Sequence, residues 1–115
     1  FYPLPEEPQP IAADVPEMFI PILELETLAP NTVYINVLAV YPEYRGRGLG
    51  RALMEHVEAE ASGRDLSLIV ENAHDVARSL YHSFGFVTEA SRPIVDGGWG
   101  PSGDAYCLMV RRSAP

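Results

Sequence analysis

The sequence contains no lysine; all eight of its basic residues are arginine. Any anion site in the chain must therefore be built from guanidinium groups and backbone amides, because no ammonium point charge is present. Basic residues of either kind are missing altogether from positions 1–44, which carry the carboxylates Glu6, Glu7, Asp14, Glu17, Glu24, Glu26 and Glu43. That half holds most of the formal net charge of −8. An acidic surface argues against nucleic acid as a partner and for a cationic small substrate drawn in by the field, although solubility alone accounts for it equally well. Cysteine is scarce too: Cys107 stands alone, which excludes an intrachain disulfide and a cysteine-rich zinc site. It reads as a small core hydrophobe in a chain suited to a reducing, cytoplasmic setting. His56, His74 and His82 are dispersed without an H-x-x-x-H spacing, so no metal is expected. No apolar run approaches the ~18 residues of a membrane span, so no membrane role is expected either. The start, Phe1-Tyr2-Pro3-Leu4-Pro5, lacks the basic and apolar regions of a signal peptide and reads as a cut edge.

What is present is an ordinary globular composition, 47% hydrophobic and 21% charged over 115 residues. That length suits one domain, able to bury roughly two-thirds of its unfolded surface. Residues 1–13, with Pro3, Pro5, Pro8 and Pro10, are expected to be an extended linker or edge segment, mostly unpaired after Leu4. Asp14-Val15-Pro16-Glu17 has the spacing of a capping box and predicts a helix start. On that helix Val15, Met18, Ile22, Leu25 and Leu28 make one apolar stripe, Pro21 introduces a kink, and Pro30-Asn31 closes it. Thr32 to Val40 is β-branched and aromatic almost throughout, the pattern of a central strand covered on both faces.

A second helix is expected after position 48, with Leu49, Leu53, Val57 and Ala61 on one face, Ala52 beside them, and Gly63 as its stop. Leu66 to Val70 reads as a short buried strand. Strand, helix and strand in this order form a right-handed crossover, so the two strands should be parallel. Glu71 to Asp75 makes the next turn and cap. Ala73, Val76, Ala77, Leu80, Tyr81 and Phe84 then mark a helix ended by Gly85. Phe86 to Val95 and Ala105 to Arg111 predict an antiparallel pair joined by a glycine-rich loop, on which Trp99 is either a lid over a pocket or a hydrophobic plug, the lid being preferred.

Between the central strand and its helix lies Leu38-Ala39-Val40-Tyr41-Pro42-Glu43-Tyr44-Arg45-Gly46-Arg47-Gly48-Leu49-Gly50-Arg51. Its three alternate glycines remove Cβ atoms where a helix N-terminus leaves amides unpaired, so an anion can approach closely. The stretch lacks the terminal Gly-Lys-Ser/Thr of a Walker loop, and Arg51 breaks the G-x-G-x-x-G of a dinucleotide fold. On its own it is equally a tight strand-to-helix joint. Its surroundings decide. Arg45-x-x-Gly48-x-Gly50, preceded by Leu38-x-Val40-x-Pro42, and then Asn72, Ala77, Leu80-Tyr81 and Gly85-Phe86, resemble in order the two signatures of the GNAT superfamily of N-acyltransferases. The resemblance runs from the strand before Leu38 to about Arg111.

The resemblance implies an α/β (α+β) fold: a mixed, mostly antiparallel sheet whose central parallel pair splays around an acyl-CoA, with helices on both faces. It implies a single domain, with residues 1–31 a proline-rich segment and acidic helix and residues 32–112 the CoA-binding core. Family members usually carry more elements before the central strand, so an N-terminal part is expected to be missing. Acetyl-CoA would be the donor, its pyrophosphate on the amides of Arg45, Gly46, Arg47, Gly48, Leu49, Gly50 and Arg51, with Arg45, Arg47 and Arg51 adding charge. Its pantetheine would pair with backbone at Leu38, Ala39 and Val40. Leu38 would offer an N–H to the oxyanion, and Tyr81 would act as general acid toward the leaving thiolate. Asn72 would hold the pantetheine or cap the helix, with Asp75 the alternative cap. Glu24, Glu26, Asn36, Glu71 and His74 are all open as general base. The expected partners are an acyl-CoA and an amine, with a second copy of the chain or a missing N-terminal segment as further candidates. The alternative is a non-catalytic acyl-CoA-binding or regulatory module.

Overall fold

The computed structural model describes residues 2–7, 10–11, 14–35, 49–95 and 103–113. Along the chain these form β1 (Tyr2–Pro3), a 3-10 turn (Glu17–Phe19), α1 (Ile20–Thr27), β2 (Val33–Ile35), α2 (Leu49–Ala61), β3 (Leu66–Glu71), α3 (Asp75–Ser83), β4 (Val87–Pro93) and β5 (Ala105–Arg111). The strands make one sheet in the order β1-β2-β3-β5-β4. β2 and β3 are parallel, with Val33, Tyr34 and Ile35 opposite Leu66, Ser67 and Leu68. The other pairings are antiparallel. The fold is thus α/β with a mixed, mostly antiparallel sheet and one parallel crossover pair, as the order of patterns implied. Residues 36–40 of the expected strand, where the pair would splay, lie outside the described residues.

Period-two alternation sends successive strand residues to opposite faces and so divides the core in two. Val33, Ile35, Leu66, Leu68, Val70, Cys107 and Met109 pack with Met54, Val57 and Ala61 of α2 and with Tyr81 and Phe86. On the other face Tyr34, Tyr106, Leu108 and Val110 meet Leu25 and Ala29, with Leu4 from the N-terminal segment. Helices therefore cover both faces. Cys107 is a buried free thiol in β5, which matches its reading as a core hydrophobe. A buried polar pair crosses from β3 to the start of β2: the Thr32 and Ser67 hydroxyls are 2.7 Å apart and Thr32 Oγ1 also donates to the Ala29 carbonyl at 2.8 Å. These mutual bonds are what make their burial tolerable.

Several local expectations are corrected. The capping box at Asp14 does not form; Pro16 precedes the 3-10 turn with no side-chain cap. Pro21 does not kink a helix but sits in the first two positions of α1, where its missing N–H leaves no bond unmade. The buried line on this segment accordingly runs Pro21, Leu25, Ala29, and Leu28 is exposed. On α2 the buried positions are Met54, Val57 and Ala61, while Leu53 and Ala52 face solvent. On α3, Val76 is 88% exposed. The N-terminal segment is an edge strand: β1 pairs with β2, Leu4 N donates to Thr32 O at 2.7 Å, and Asn31 N donates to Pro5 O at 3.0 Å.

Candidate functional site

The most sharply fixed feature near the expected chemistry is the end of α3. Gly85 has φ +89°, a left-handed conformation that costs glycine nothing. It lets Phe86 N donate to Tyr81 O at 3.1 Å and Gly85 N donate to His82 O at 3.0 Å. This paired pattern is a Schellman motif, which satisfies the last carbonyls of the helix. The residues it joins also touch, with the Tyr81 and Phe86 rings 6.0 Å apart at 56°. Phe86 is fully buried and Tyr81 nearly so. The spacing of Leu80-Tyr81 and Gly85-Phe86 in the sequence is therefore a single helix-ending device that fixes a tyrosine. Burial pushes the Tyr81 hydroxyl above its usual value of 10, because the apolar surroundings disfavour phenolate. Tyr81 is fully protonated at neutral pH and able to donate.

Leu49 is the first described residue of α2; a helix start leaves the amides of its first turn without intrahelical partners and carries the positive end of the dipole. The turn rests on α3. A Cβ at Gly50 would meet Leu80 Cδ2 at 3.2 Å, so glycine permits this approach. Arg51 donates from Nη2 to Ser83 Oγ at 3.3 Å and lies with its guanidinium carbon 5.1 Å from the centre of the Phe84 ring. The two signature segments, far apart in sequence, are thus in contact: the helix start that would hold an anion and the helix that carries Tyr81.

Asn72 is placed elsewhere. It follows β3, and its side chain is engaged with the start of β5: Nδ2 donates to Asp104 Oδ1 at 2.5 Å, and Oδ1 accepts from Asp104 N at 3.1 Å and Ala105 N at 3.4 Å. Neither Asn72 nor Asp75 caps α3. His74 is the cap residue, without a side-chain bond, and Asp75 is in the first turn, where its charge suits the dipole. Glu71, closing β3, accepts from Gly103 N at 3.1 Å and lies 3.9 Å from His74 Nε2. Its charge, second to burial, raises the Tyr106 hydroxyl above its ordinary value. Glu26 on α1 is partly buried. That burial raises its carboxyl above 4.5, an effect opposed by a hydrogen bond from Tyr34. Since Tyr34 belongs to the α1-side core and Tyr81 to the opposite one, Glu26 lies across the sheet from the tyrosine. Leu38, Ala39, Val40, Arg45, Gly46, Arg47 and Gly48 lie outside the described residues, as do Asn36 and Trp99. Among the described residues no group of three or more His, Cys, Asp or Glu side chains could hold a metal ion, and no helix is long and apolar enough to cross a membrane.

Residues 12–86 match the family model described as Acetyltransferase (GNAT) family. The chain belongs to this family. An uncharacterized protein of Mycobacterium leprae (strain TN) is 32% identical over 93 residues, covering 81% of this GNAT chain and 25% of that protein. The 5-NmdU N-acetyltransferase of Pseudomonas phage PaMx11 is 40% identical over 58 residues, 50% of this chain and 41% of the relative. Among solved structures, the ribosomal-protein-S18-alanine N-acetyltransferase from Escherichia coli superposes with a TM-score of 0.58 at 28% identity, covering 71% of this chain and 57% of that one. The GNAT chain therefore spans less than two-thirds of the length of each of these relatives.

Sequence reasoning did not single out Ser83, Phe84 or Gly103. Phe84 carried a core signal only, and Ser83 none. Gly103 had a local clue as the last glycine of a glycine-rich loop. A Cβ there would collide with Asn72 Oδ1 and stand 3.2 Å from Ala73 N.

Proposed function

We propose that this GNAT chain is a single N-acetyltransferase domain that moves an acetyl group from acetyl-CoA to a primary amine by direct attack. The observation that carries the reading is Tyr81: a largely buried tyrosine, its hydroxyl kept protonated, held by the end of α3, on the helix against which the start of α2 packs. The residues fit the donor's chemistry. The first turn of α2 offers unpaired amides to a pyrophosphate, with the amides and guanidinium groups at 45–48 completing the cradle and the backbone of 38–40 taking the pantetheine. Attack by the amine nitrogen forms a carbon–nitrogen bond, and the carbon–sulfur bond breaks as the tetrahedral centre collapses. Leu38 N–H is assigned to the oxyanion, where a preorganised donor lowers the barrier. Tyr81 hands its proton to the departing thiolate, and the proton shed by the acylated nitrogen passes to solvent, from which the phenolate is reprotonated.

The nitrogen acceptor is supported by two relatives whose names make them N-acetyltransferases. A small cationic amine is supported by the carboxylates of the first 44 residues and the absence of any basic side chain among them. Calorimetric titration with acetyl-CoA, followed by free-thiol release with a panel of amines, tests the reading. The expected result is micromolar-range binding and thiol release stimulated most by cationic amines. Binding with no release for any amine leaves only an acyl-CoA-binding module, and absence of binding removes both.

A further inference from the structure

The side chain of Arg51 is turned onto α3. Its Nη2 donates to Ser83 Oγ, and the Ser83 hydroxyl in turn donates to the Leu80 carbonyl at 2.5 Å. The guanidinium also lies over the Phe84 ring. Each contact has a physical reason. The last turn of a helix carries the negative end of its dipole, and a cation is favourable there. The face of an aromatic ring attracts a planar guanidinium, which can stack and donate at once. One residue earlier Gly50 brings the α2 backbone down to Leu80. Leu80, Ser83 and Phe84 bracket Tyr81 on the same turn, so the contacts converge on the segment that holds the tyrosine hydroxyl.

We infer that Arg51 is a positioning residue, clamping the start of α2 to the last turn of α3 and so setting the separation between the anion cradle and Tyr81, in place of contacting the donor's phosphates. An arginine reaching out from the helix start to a phosphate would have to give up both the Ser83 and the Phe84 contacts. The clamp has a direct catalytic consequence: with the pyrophosphate held on α2 and the acid on α3, any slip between the helices misplaces the thioester relative to the hydroxyl. The inference rests on the acyl-CoA reading above and deepens it by giving one of the signature's arginines a different task.

The test is a double-mutant cycle in the full-length protein, with Arg51→Met, Phe84→Leu and the pair, read by kcat in thiol release and by calorimetric Kd for CoA. Misalignment by a fraction of an ångström is expected to lower kcat by about 5- to 10-fold in each single variant, with Kd changed less than about 2-fold. Because both changes loosen one contact, the pair should fall no further than the more affected single. Thermal midpoints establish folding, and Ser83→Ala replaces Phe84→Leu if the latter unfolds. The inference is overturned if Arg51→Met weakens CoA binding by about 10-fold or more with kcat retained, the result for a charge-assisted phosphate contact. It is equally overturned if the kcat losses multiply. Failure of the wild type to bind CoA overturns the acyl-CoA reading and this inference together, whereas binding with either wrong variant pattern overturns this inference alone.

Discussion

Replacing Gly103 by alanine should reveal what Asn72 does. The added Cβ would overlap Asn72 Oδ1 and press on Ala73 N at 3.2 Å, so the amide must swing away. In doing so it loses the bonds from Asp104 N and Ala105 N and its own donation to Asp104 Oδ1. Three hydrogen bonds at ~1 kcal/mol each, discounted for their exposure, put the loss at about 2 kcal/mol. For a domain of this size that corresponds to a fall of roughly 8 °C in Tm. In an Asn72→Ala background the first collision is gone and only the Ala73 contact remains, so the same change should cost less than about 1 kcal/mol. Urea unfolding of the four proteins measures the coupling, and calorimetry with CoA on the same samples measures affinity. Asn72→Ala should lower stability while leaving CoA affinity within about 2-fold, since its side chain is committed to joining the end of β3 to the start of β5. An equal loss from Gly103→Ala in both backgrounds would refute the collision argument. A large loss of CoA affinity in Asn72→Ala with little change in stability would return this residue to the donor.

Two further expectations concern pH. Asp65 accepts from Ser113 N at 2.7 Å and from Ser113 Oγ at 2.8 Å, and Arg112 Nη1 lies 3.3 Å away. The backbone bond above all, then the hydroxyl, hold its carboxyl below the ordinary 3.8. A depressed acid stabilises the fold above its unfolded value and loses that contribution as pH falls through the folded one. Asp65→Asn should therefore be less stable than wild type at pH 7 and converge with it as pH falls below 3.8 and through the depressed folded value; parallel urea stability curves across that range would contradict the assignment. Glu26 has the opposite sign. Its carboxyl is raised by burial, so its favourable contribution is present below its unfolded value and lost as pH rises through the folded one. Glu26→Gln, which still accepts the Tyr34 hydroxyl, should be more stable than wild type at pH 7, and the advantage should vanish near pH 4; a destabilised variant at neutral pH would show that the charge is needed.

The parts of the fold that local physics determines were legible in the sequence. β5 runs from Ala105 to Arg111 as its apolar composition predicted, α2 ends before Gly63, and α3 ends at a glycine whose positive φ its position anticipated. The parallel pair followed from strand, helix, strand order and the handedness of crossovers. Where two local rules competed, the wrong one was preferred. The Asp14 capping box was read as the helix start and Pro21 as a kink, yet proline fits the first turn of a helix, and α1 starts at Ile20, one residue before it. On α2 the leucines suggested a face centred on Leu53, but contact with β3 selects Met54 instead, a choice made by the sheet and not by periodicity. Pairing of Tyr2 and Pro3 with residues thirty or more positions away left no local trace. The site divides in the same manner. Tyr81 and the Gly85-Phe86 ending were readable as a motif with a mechanism, whereas the grip of Arg51 on Ser83 and Phe84 and of Asn72 on Asp104 arise only when distant segments meet.

The most direct test of the central claim compares wild type with Tyr81→Phe in one thiol-release assay with acetyl-CoA and the best amine of the panel, alongside calorimetry. The substitution keeps the ring that packs on Phe86 and removes only the proton donor. The account predicts a drop in kcat of about 10²-fold or more, typical for loss of a general acid, with acetyl-CoA affinity unchanged within about 2-fold. Equal turnover by the two proteins would contradict it and leave Tyr81 a core aromatic.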